Sequence, residues 1–191
     1  MEHIKLHDKF FKPYIQSQVI ELSVKKVADQ LNDDYRSVDT PMVLVTLNGA
    51  FMFASGLLRY TDFKCEMAFI KVSSYTGTST SGNVTEVIGL DRSVKGRHII
   101  IVEDIVDSGI TMKNLKTKLI EEGAASVTIA CLFFKPGAFR FADTLKIEYK
   151  AMDIGNEFIV GYGLDYDQLG RELQDIWVVD PDYNGEDGNW K

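Results

Sequence analysis

Cysteine and histidine are scarce in this 191-residue chain, which contains two cysteines and three histidines. Cys65 and Cys131 lie in separate apolar segments without CxxC spacing, so we expect buried free thiols rather than a disulfide or a zinc site. His3, His7 and His98 are too scattered to indicate a metal cluster, and we expect the first two in a loose N-terminal segment. The composition therefore does not indicate redox or zinc chemistry.

Long apolar runs and basic blocks are also missing. No segment approaches the roughly 20 consecutive apolar residues that span a bilayer, and the first residues, MEHIKLHDKF, lack the apolar core of a signal peptide. We therefore expect a cytoplasmic protein without a membrane partner. The formal net charge of −7 at pH 7 gives little electrostatic support for a nucleic-acid partner, because the phosphate backbone repels an acidic surface.

The chain does contain an alternation of strand-like and helical segments. Apolar runs predict strands at 42–47, 65–72, 98–102 and 126–134. Helical patterns predict a helix at roughly 13–33 with Pro13 in its first turn, a helix beginning near Ala50, and a helix that ends at Gly123. This order is typical of one α/β domain with a mainly parallel sheet and right-handed crossovers.

Two polar segments interrupt this pattern. Residues 73–83, SSYTGTSTSGN, are almost wholly serine, threonine and glycine. Such a segment buries too little apolar surface to be ordered alone, so we expect a mobile loop. Three interpretations of this loop stay open: a surface hairpin tip, a linker, or a lid over a binding site. The acidic tail DPDYNGEDGNWK, from residue 180 onward, is expected to be a disordered end.

The segment IIIVEDIVDSGIT, residues 99–111, places three carboxylates and three small hydrogen-bonding residues directly after a buried strand. Ligands of parallel α/β sheets bind at the carboxyl ends of the strands. Glu103 and Asp104 suit the vicinal hydroxyls of a ribose, or a magnesium ion that already carries phosphates. The next turn suits a phosphate, because the free N–H groups and the dipole of a helix start favour an anion. The residues of this turn are Asp107, Ser108, Gly109, Ile110 and Thr111.

A purely structural explanation of these residues is a helix cap at Asp107 or Ser108 beside a solvated strand end. Capping accounts for one acid, but not for three acids and three small polar residues within nine positions. The GxxxxGK[ST] pattern of a Walker loop is absent from the sequence. The segment therefore predicts a phosphate site with carboxylates beside it.

VEDIVDSGIT resembles the phosphoribosyl pyrophosphate (PRPP) signature of type I phosphoribosyltransferases, and later segments are similar to the hypoxanthine-guanine branch of that family. The resemblance covers most of the chain. It implies a central, mainly parallel sheet flanked by helices, with a small hood subdomain and a mobile active-site loop. It also implies one domain over residues 1–191, with a core at roughly 36–150, a hood from the N-terminal segment and roughly 151–191, and the mobile loop at 73–83.

Two later segments, CLFFKP and EFIVGYGLDYDQLGREL, carry the purine-side matches. By resemblance, Lys135 contacts the 6-oxo group of the purine, Phe158 stacks on the base, and the Ile159 backbone meets the base edge. Asp165 matches the family's magnesium-linked acid, and Arg171 matches the arginine that contacts pyrophosphate. Taken singly, each residue is more often a core residue or a surface charge. Their order and separation together favour the functional assignment.

The pyrophosphate side carries both matches and departures. Ser74 and Tyr75 match the serine–tyrosine pair of the family's closing loop. Asn48 precedes Gly49 where the family commonly has a lysine. In the family this turn meets pyrophosphate largely through backbone N–H groups, often beside a non-proline cis peptide, so Asn48 can keep the binding turn while losing a positive charge. Ile110 likewise replaces a frequent lysine, which matters little if its backbone N–H is the donor.

The resemblance implies transfer of the 5-phosphoribosyl group from PRPP to hypoxanthine, and to guanine, with release of pyrophosphate. Mg²⁺ is the implied cofactor, held by Glu103, Asp104 and Asp165. Small molecules are the expected partners, and the family implies a homodimer or a homotetramer.

The same resemblance assigns catalytic roles. Asp107 would take or hold the purine N7 proton as a general base. Lys135 would favour a 6-oxo purine over adenine, whose amino group would set donor against donor. Arg171 would stabilise the leaving pyrophosphate. Three alternatives stay open: a phosphoribosyltransferase that prefers xanthine or guanine, a non-catalytic sensor of PRPP or a nucleotide with the same fold, and a magnesium phosphohydrolase.

Overall fold

The computed structural model describes residues 2–73, 85–88, 90, 92–186 and 190. Within these ranges the chain forms ten strands and three helices. In chain order they are β1 (Ile4–Leu6), β2 (Lys9–Ile15), α1 (Ser17–Tyr35), β3 (Met42–Thr46), α2 (Phe51–Arg59), β4 (Glu66–Ser73), β5 (Thr85–Ile88), β6 (His98–Val106), α3 (Ile110–Glu121), β7 (Ser126–Phe134), β8 (Tyr149–Asp153), β9 (Ile159–Val160) and β10 (Ile176–Val179).

The larger sheet has the strand order β5-β4-β3-β6-β7-β8. The five strands β4, β3, β6, β7 and β8 run parallel, and β5 pairs antiparallel with β4 at one edge. At the centre, Val45 of β3 lies beside Val102 of β6, so the carboxyl ends of these two strands meet. Burial on both faces explains why the central strands are almost wholly apolar. The predicted α/β fold with a mainly parallel sheet is confirmed.

Helices cover both faces of this sheet. On one face, α1 and α2 bury side chains such as Val24 and Phe53 in a common apolar cluster. On the other face, α3 buries Met112, Leu115 and Leu119, which are the residues that helical spacing predicts. Full burial of each large apolar side chain contributes about 1.5–3 kcal/mol, so the two clusters hold the strand ends in fixed positions.

The first helix is shorter than the sequence predicts. It begins at Ser17, and Pro13 lies within β2. The register of β2 with β10 shifts between Ile176 and Trp177, and Trp177 is the partner of Pro13. A proline has no N–H for a strand ladder and is tolerated where the ladder is irregular. The prediction of a helix from residue 13 was wrong, because Pro13 marks this irregularity instead of a helix start.

The smaller sheet has the strand order β1-β2-β10-β9 and joins the two ends of the chain. Its buried centre contains Ile4, Phe11 and Val160. All of its strands come from the N-terminal segment or from residues beyond 151, the segments that the sequence assigns to a hood. The predicted division into core and hood, with its boundaries, stays a prediction.

The two chain ends pack against each other. His3 is buried, its Nε2 atom lies 3.0 Å from an Asp180 carboxylate oxygen, and its ring stacks on Tyr183 with 3.7 Å between centroids. Lys12 also pairs with Asp180, at 3.4 Å. These contacts hold the described part of the tail, through residue 186, against the smaller sheet. The predictions of a loose segment around His3 and of a disordered tail were wrong for these residues.

Cys65 and Cys131 are both free thiols, and Cys131 is fully buried. Burial raises the pKa of the Cys131 thiol, which makes it an unreactive core residue. Across the described ranges, no helix combines the length and the apolar character that a membrane crossing requires.

Candidate active site

Two neighbouring carboxylates lie at the carboxyl end of β6. Glu103 and Asp104 are half-buried, beside Thr46 at the end of β3. The Thr46 hydroxyl lies within hydrogen-bond distance of two acceptors, the Val102 carbonyl at 2.9 Å and the Glu103 carboxylate, and its one hydrogen can point to either. The Asp104 carboxylate accepts a hydrogen bond from the Ile105 N–H at 2.9 Å. Both acids are therefore oriented by protein groups.

Burial raises the pKa of both carboxyls. For Glu103, removal from water is the larger cause, and the adjacent charge of Asp104 adds to it. For Asp104, hydrogen bonds with Glu103 and the Ile105 N–H and the positive charge of Arg171 partly offset the effect of burial on the pKa. Ionisation of two adjacent, largely desolvated acids is unfavourable, so the site favours a ligand that brings hydroxyl donors or positive charge.

The turn between β3 and α2 packs directly against these acids. A Cβ atom at Gly49 would lie 1.7 Å from the Asp104 Oδ2 atom, so the turn requires glycine there. The Leu47–Asn48 peptide is cis. The Phe51 N–H donates to the Asn48 carbonyl at 3.3 Å as the chain enters α2. Gly163, in the segment after β9, approaches so closely that a Cβ atom on it would lie 2.1 Å from the Gly49 carbonyl oxygen.

The turn between β6 and α3 has the geometry of an anion site. Gly109 has a φ of +81°, which residues with a side chain rarely adopt, and a Cβ atom there would lie 2.5 Å from the Phe139 ring. α3 begins at the next residue, Ile110, and the N–H groups of a first helical turn have no intrahelical partner. The Arg140 N–H, from the segment that follows β7, donates to the Ser108 carbonyl at 3.2 Å and so fixes the position of the turn.

This turn and the end of β6 line one cavity of about 100 Å³. Its lining residues are Glu103, Ile105, Val106, Asp107, Ser108, Gly109, Ile110, Thr111 and Met112. The structure therefore brings together the predicted residues 103 and 107–111, and it leaves Asp107 exposed to solvent.

Lys135 follows the end of β7, the strand next to β6. Its backbone N–H donates to the Val106 carbonyl at 3.0 Å, which fixes it beside the strand that carries the acids. The side chain is only 7% exposed, and the Nζ atom donates to the Glu157 carbonyl at 3.0 Å. A lysine amine has three donors, so this one can also reach a carbonyl group of a ligand.

Phe158 and Ile159 differ in exposure. Phe158 directly follows Glu157, the partner of Lys135, and its ring is 44% exposed. The ring packs edge to face on Tyr166, with 5.6 Å between centroids, which leaves it able to stack on a planar base. Ile159 is buried in the apolar cluster under α1 and α2. The structure therefore brings Lys135, Phe158 and the Ile159 backbone together.

Asp165 and Arg171 form an ion pair, with 2.7 Å between Arg171 Nη2 and Asp165 Oδ1. The second Asp165 oxygen accepts from the Gln168 N–H at 2.8 Å. Arg171 Nη1 donates to the Gly163 carbonyl at 2.8 Å. Because Gly163 contacts Gly49, this arginine is tied to the turn that packs on the acids.

The structure leaves two parts of the predicted site untested or incomplete. Ser74 and Tyr75 lie outside the described residues. Glu103, Asp104 and Asp165 do not form a closed metal site by themselves, because the described part of the chain holds no group of three or more His, Cys, Asp or Glu side chains placed for a metal.

Sequence reasoning missed Thr46 and Gly163. Within β3, MVLVT, Thr46 is the one residue with a hydroxyl, and it stands at the end of the strand. A buried hydroxyl in such a place indicates a nearby hydrogen-bond partner. Gly163 carries no comparable local signal, because its role depends on a contact with the distant Gly49.

The chain matches the family model described as "Phosphoribosyl transferase domain" over residues 14–167. It belongs to this family. A Lactococcus lactis hypoxanthine-guanine phosphoribosyltransferase is 40% identical over 171 residues, which cover 88% of this chain and 91% of that protein. The Mycobacterium tuberculosis protein of the same name is 35% identical over 173 residues, or 87% of this chain and 85% of that protein. A solved Trypanosoma cruzi hypoxanthine phosphoribosyl transferase has a TM-score of 0.83 at 33% identity, with 93% of this chain and 95% of that chain covered.

The five parallel strands of the larger sheet of this phosphoribosyltransferase are therefore the central parallel sheet of the type I fold, flanked by helices. The family and the fold class that VEDIVDSGIT predicts are both confirmed. The catalytic and binding roles of individual residues are developed below as proposals.

Proposed function

We propose that this phosphoribosyltransferase is a purine-salvage enzyme that transfers the 5-phosphoribosyl group of PRPP to hypoxanthine, and to guanine, and releases pyrophosphate. One juxtaposition carries the proposal. Glu103 and Asp104 lie near the carboxyl end of β6, which leads into the turn at 107–111, while Lys135 directly follows the neighbouring β7 and bonds to Glu157, the residue before Phe158. Ribose, phosphate and purine would then bind along one edge of the sheet. The similarity to hypoxanthine-guanine phosphoribosyltransferases supports this assignment.

PRPP would bind along β6 and the turn that follows. The 5-phosphate would occupy residues 107–111, where backbone N–H groups and the helix dipole favour an anion. Glu103 and Asp104 would accept hydrogen bonds from the ribose hydroxyls. When the bond between C1 and the pyrophosphate oxygen breaks, the ribose ring gains positive charge. The carboxylates of Glu103 and Asp104 would stabilise that charge.

Mg²⁺ is the proposed cofactor, and the residues present fit it. Magnesium prefers oxygen ligands and usually binds through one or two carboxylates together with substrate phosphates. Glu103 and Asp104 provide such a pair, and burial, which raises the pKa of each carboxyl, is an unfavourable effect on the ionised pair that a bound cation would offset. Bound there, magnesium would supply positive charge against the leaving pyrophosphate. Asp165 would hold Arg171, a second positive group for the pyrophosphate, in place through their ion pair.

The purine would lie between Lys135 and Phe158. The Lys135 amine would donate to the 6-oxo oxygen, the Phe158 ring would stack on the base, and the Ile159 backbone would meet the base edge. Adenine would be rejected, because its 6-amino group and the lysine amine are both donors.

Two further residues would complete the reaction. Asp107 is exposed at the mouth of the cavity that the 103–112 segment lines, where its carboxylate would take the purine N7 proton as a general base. Arg171 would stabilise negative charge on the pyrophosphate oxygens. Its bond to the Gly163 carbonyl and the contact of Gly163 with Gly49 support this, since they hold the arginine next to the Asn48–Gly49 turn.

We also propose that the enzyme assembles as a homodimer or a homotetramer. Two exposed apolar side chains support this, Met67 and Phe69, which are two positions apart on β4 and therefore lie on one face of that strand. Contiguous exposed apolar side chains often mark an interface between proteins. Sedimentation velocity at micromolar concentration would measure the assembly state, and a monomer at every concentration would contradict this part of the proposal.

The deciding experiment supplies PRPP and Mg²⁺ with hypoxanthine, guanine, xanthine or adenine in separate reactions and quantifies each nucleotide by chromatography. We expect product from hypoxanthine and guanine and none from adenine. Product from xanthine in preference to hypoxanthine would favour the xanthine-preferring alternative. PRPP binding without product from any base would support the sensor. The phosphohydrolase has no observation in its favour, since it would not use Lys135 and Phe158.

A further inference from the structure

Thr46 is the polar end of an apolar strand. All five residues of β3, Met42–Thr46, are buried. A buried hydroxyl without a hydrogen-bond partner is unfavourable. The Thr46 hydroxyl has one hydrogen to donate, and two acceptors on the neighbouring β6 lie within its reach, the Val102 carbonyl at 2.9 Å and the Glu103 carboxylate. Burial therefore requires a partner for this hydroxyl, and one of the two partners is a residue of the site.

The sheet alone does not require the contact with Glu103. Thr128 shows this, because it is a second strand threonine whose hydroxyl lies 3.4 Å from a β6 carbonyl, that of Ile99. Its other partner is the Tyr35 hydroxyl at 2.7 Å, at the amino-terminal end of the sheet. A bond to a β6 carbonyl is thus a structural feature that both threonines share. The bond to an acid of the active site distinguishes Thr46.

We propose that Thr46 is a positioning residue for PRPP: its hydroxyl orients the Glu103 carboxylate toward the ribose hydroxyls. This inference rests on the proposed function and adds a specificity determinant to the same site. Asp104 is already fixed by the Ile105 N–H and by the packing of Gly49 against its carboxylate. With Thr46 holding Glu103, both acids are oriented before the substrate arrives.

Orientation before binding affects affinity directly. A carboxylate that is already held in its binding conformation loses less side-chain entropy when it accepts a ligand. Thr46 also immediately precedes the Leu47–Gly49 turn, which we propose for the pyrophosphate. One strand end would thus position both the ribose acid and the pyrophosphate turn. The effect of Thr46 on affinity should be confined to PRPP, because the residues proposed for the purine, Lys135, Phe158 and Ile159, all follow β7 in the chain.

The test replaces Thr46 with valine, which keeps the branched shape, and with serine, which keeps the hydroxyl. The Kd of PRPP in the presence of Mg²⁺ is measured by titration calorimetry, and KM is measured for PRPP and for hypoxanthine. Thr46→Val should raise the Kd and KM of PRPP by about tenfold, the scale of one hydrogen bond to a charged group. The KM of hypoxanthine should change less than about twofold, and Thr46→Ser should restore most of the PRPP affinity.

Thr128→Val is the matched control, because it also removes a hydroxyl that bonds a β6 carbonyl. It should leave PRPP affinity unchanged, whatever it does to the melting temperature. A Thr46→Val enzyme with wild-type PRPP affinity would overturn the proposal, as would equal increases in both KM values. If Thr46→Val does not fold, Thr46→Ala compared with Thr46→Ser gives the same contrast. Failure of the wild type to form nucleotide would refute the proposed function, whereas the PRPP Kd values would still decide the role of Thr46.

Discussion

Replacing Lys135 with alanine should weaken purine binding and leave PRPP binding intact. The side chain is 7% exposed, and its amine lies 3.0 Å from the Glu157 carbonyl oxygen. In the proposed complex the same amine also donates to the 6-oxo oxygen of hypoxanthine. Alanine removes both hydrogen bonds and leaves the 6-oxo group facing no donor at that position.

The expected magnitude follows from the type of hydrogen bond. A bond from a charged donor contributes about 1.5–3 kcal/mol, and about 1.4 kcal/mol corresponds to a tenfold change in affinity. The KM of hypoxanthine should therefore rise by about 10- to 150-fold. Loss of the bond to the Glu157 carbonyl should also lower the free energy of unfolding by about 1–3 kcal/mol.

Steady-state kinetics with each substrate varied in turn would measure the effect, and thermal unfolding would report the cost in stability. Lys135→Met keeps an apolar stem without the donor, so it should lose purine affinity as strongly as Lys135→Ala. Lys118→Ala is the control, because Lys118 forms a surface pair with Glu122 at 3.8 Å, and such pairs contribute little. A folded Lys135→Ala enzyme with the wild-type KM for hypoxanthine would show that another group recognises the 6-oxo oxygen.

The remaining predictions concern the acids and the turn beside them. Asp107→Asn should lower kcat by about 100-fold or more with little change in the Kd of PRPP, and an unchanged kcat would remove Asp107 from the base role. Glu103→Gln should raise the melting temperature of the magnesium-free protein near pH 8. Burial and the Asp104 charge raise the Glu103 pKa, so the stability that protonation gives is present at low pH and lost as pH rises through the folded-state pKa. Calorimetry near pH 4 should show little difference, and equal gains at both pH values would contradict the linkage. Gly49→Ala should weaken PRPP binding, because its Cβ would lie 1.7 Å from an Asp104 oxygen; calorimetric titration that gives the wild-type Kd would contradict the assigned packing.

Sequence reasoning succeeded where the signal is local. The segment 99–111 carries an apolar strand, the acids and the proposed phosphate turn in continuous order, so its pattern predicts both the strand end and the cavity that the structure shows. Sequence reasoning failed at Pro13, because a proline suits a helix start and an irregular strand equally well. The choice depended on the pairing of β2 with β10, which lies more than 150 residues away. The packed ends of the chain were missed for the same reason.

Within the site, the missed features are contacts between distant segments. Thr46 bonds with Glu103, Gly163 packs on Gly49, and the Lys135 amine bonds with the carbonyl of Glu157. Each pair joins different strands or turns, so the sequence around either partner does not reveal the contact with the other. The fold supplies these pairs by bringing several strand ends to one edge, and the sequence predicts the edge without predicting the pairs.

These contacts also explain how Asn48 is compatible with the proposed chemistry. The turn that holds it is fixed by backbone contacts, namely Phe51 N–H to the Asn48 carbonyl and Gly163 against the Gly49 carbonyl. A side-chain charge at position 48 takes no part in either. Arg171 donates to the Gly163 carbonyl at 2.8 Å and is itself held by Asp165. We infer that Arg171 supplies positive charge beside the proposed pyrophosphate turn, so that an asparagine at position 48 leaves this turn formed and next to a cation.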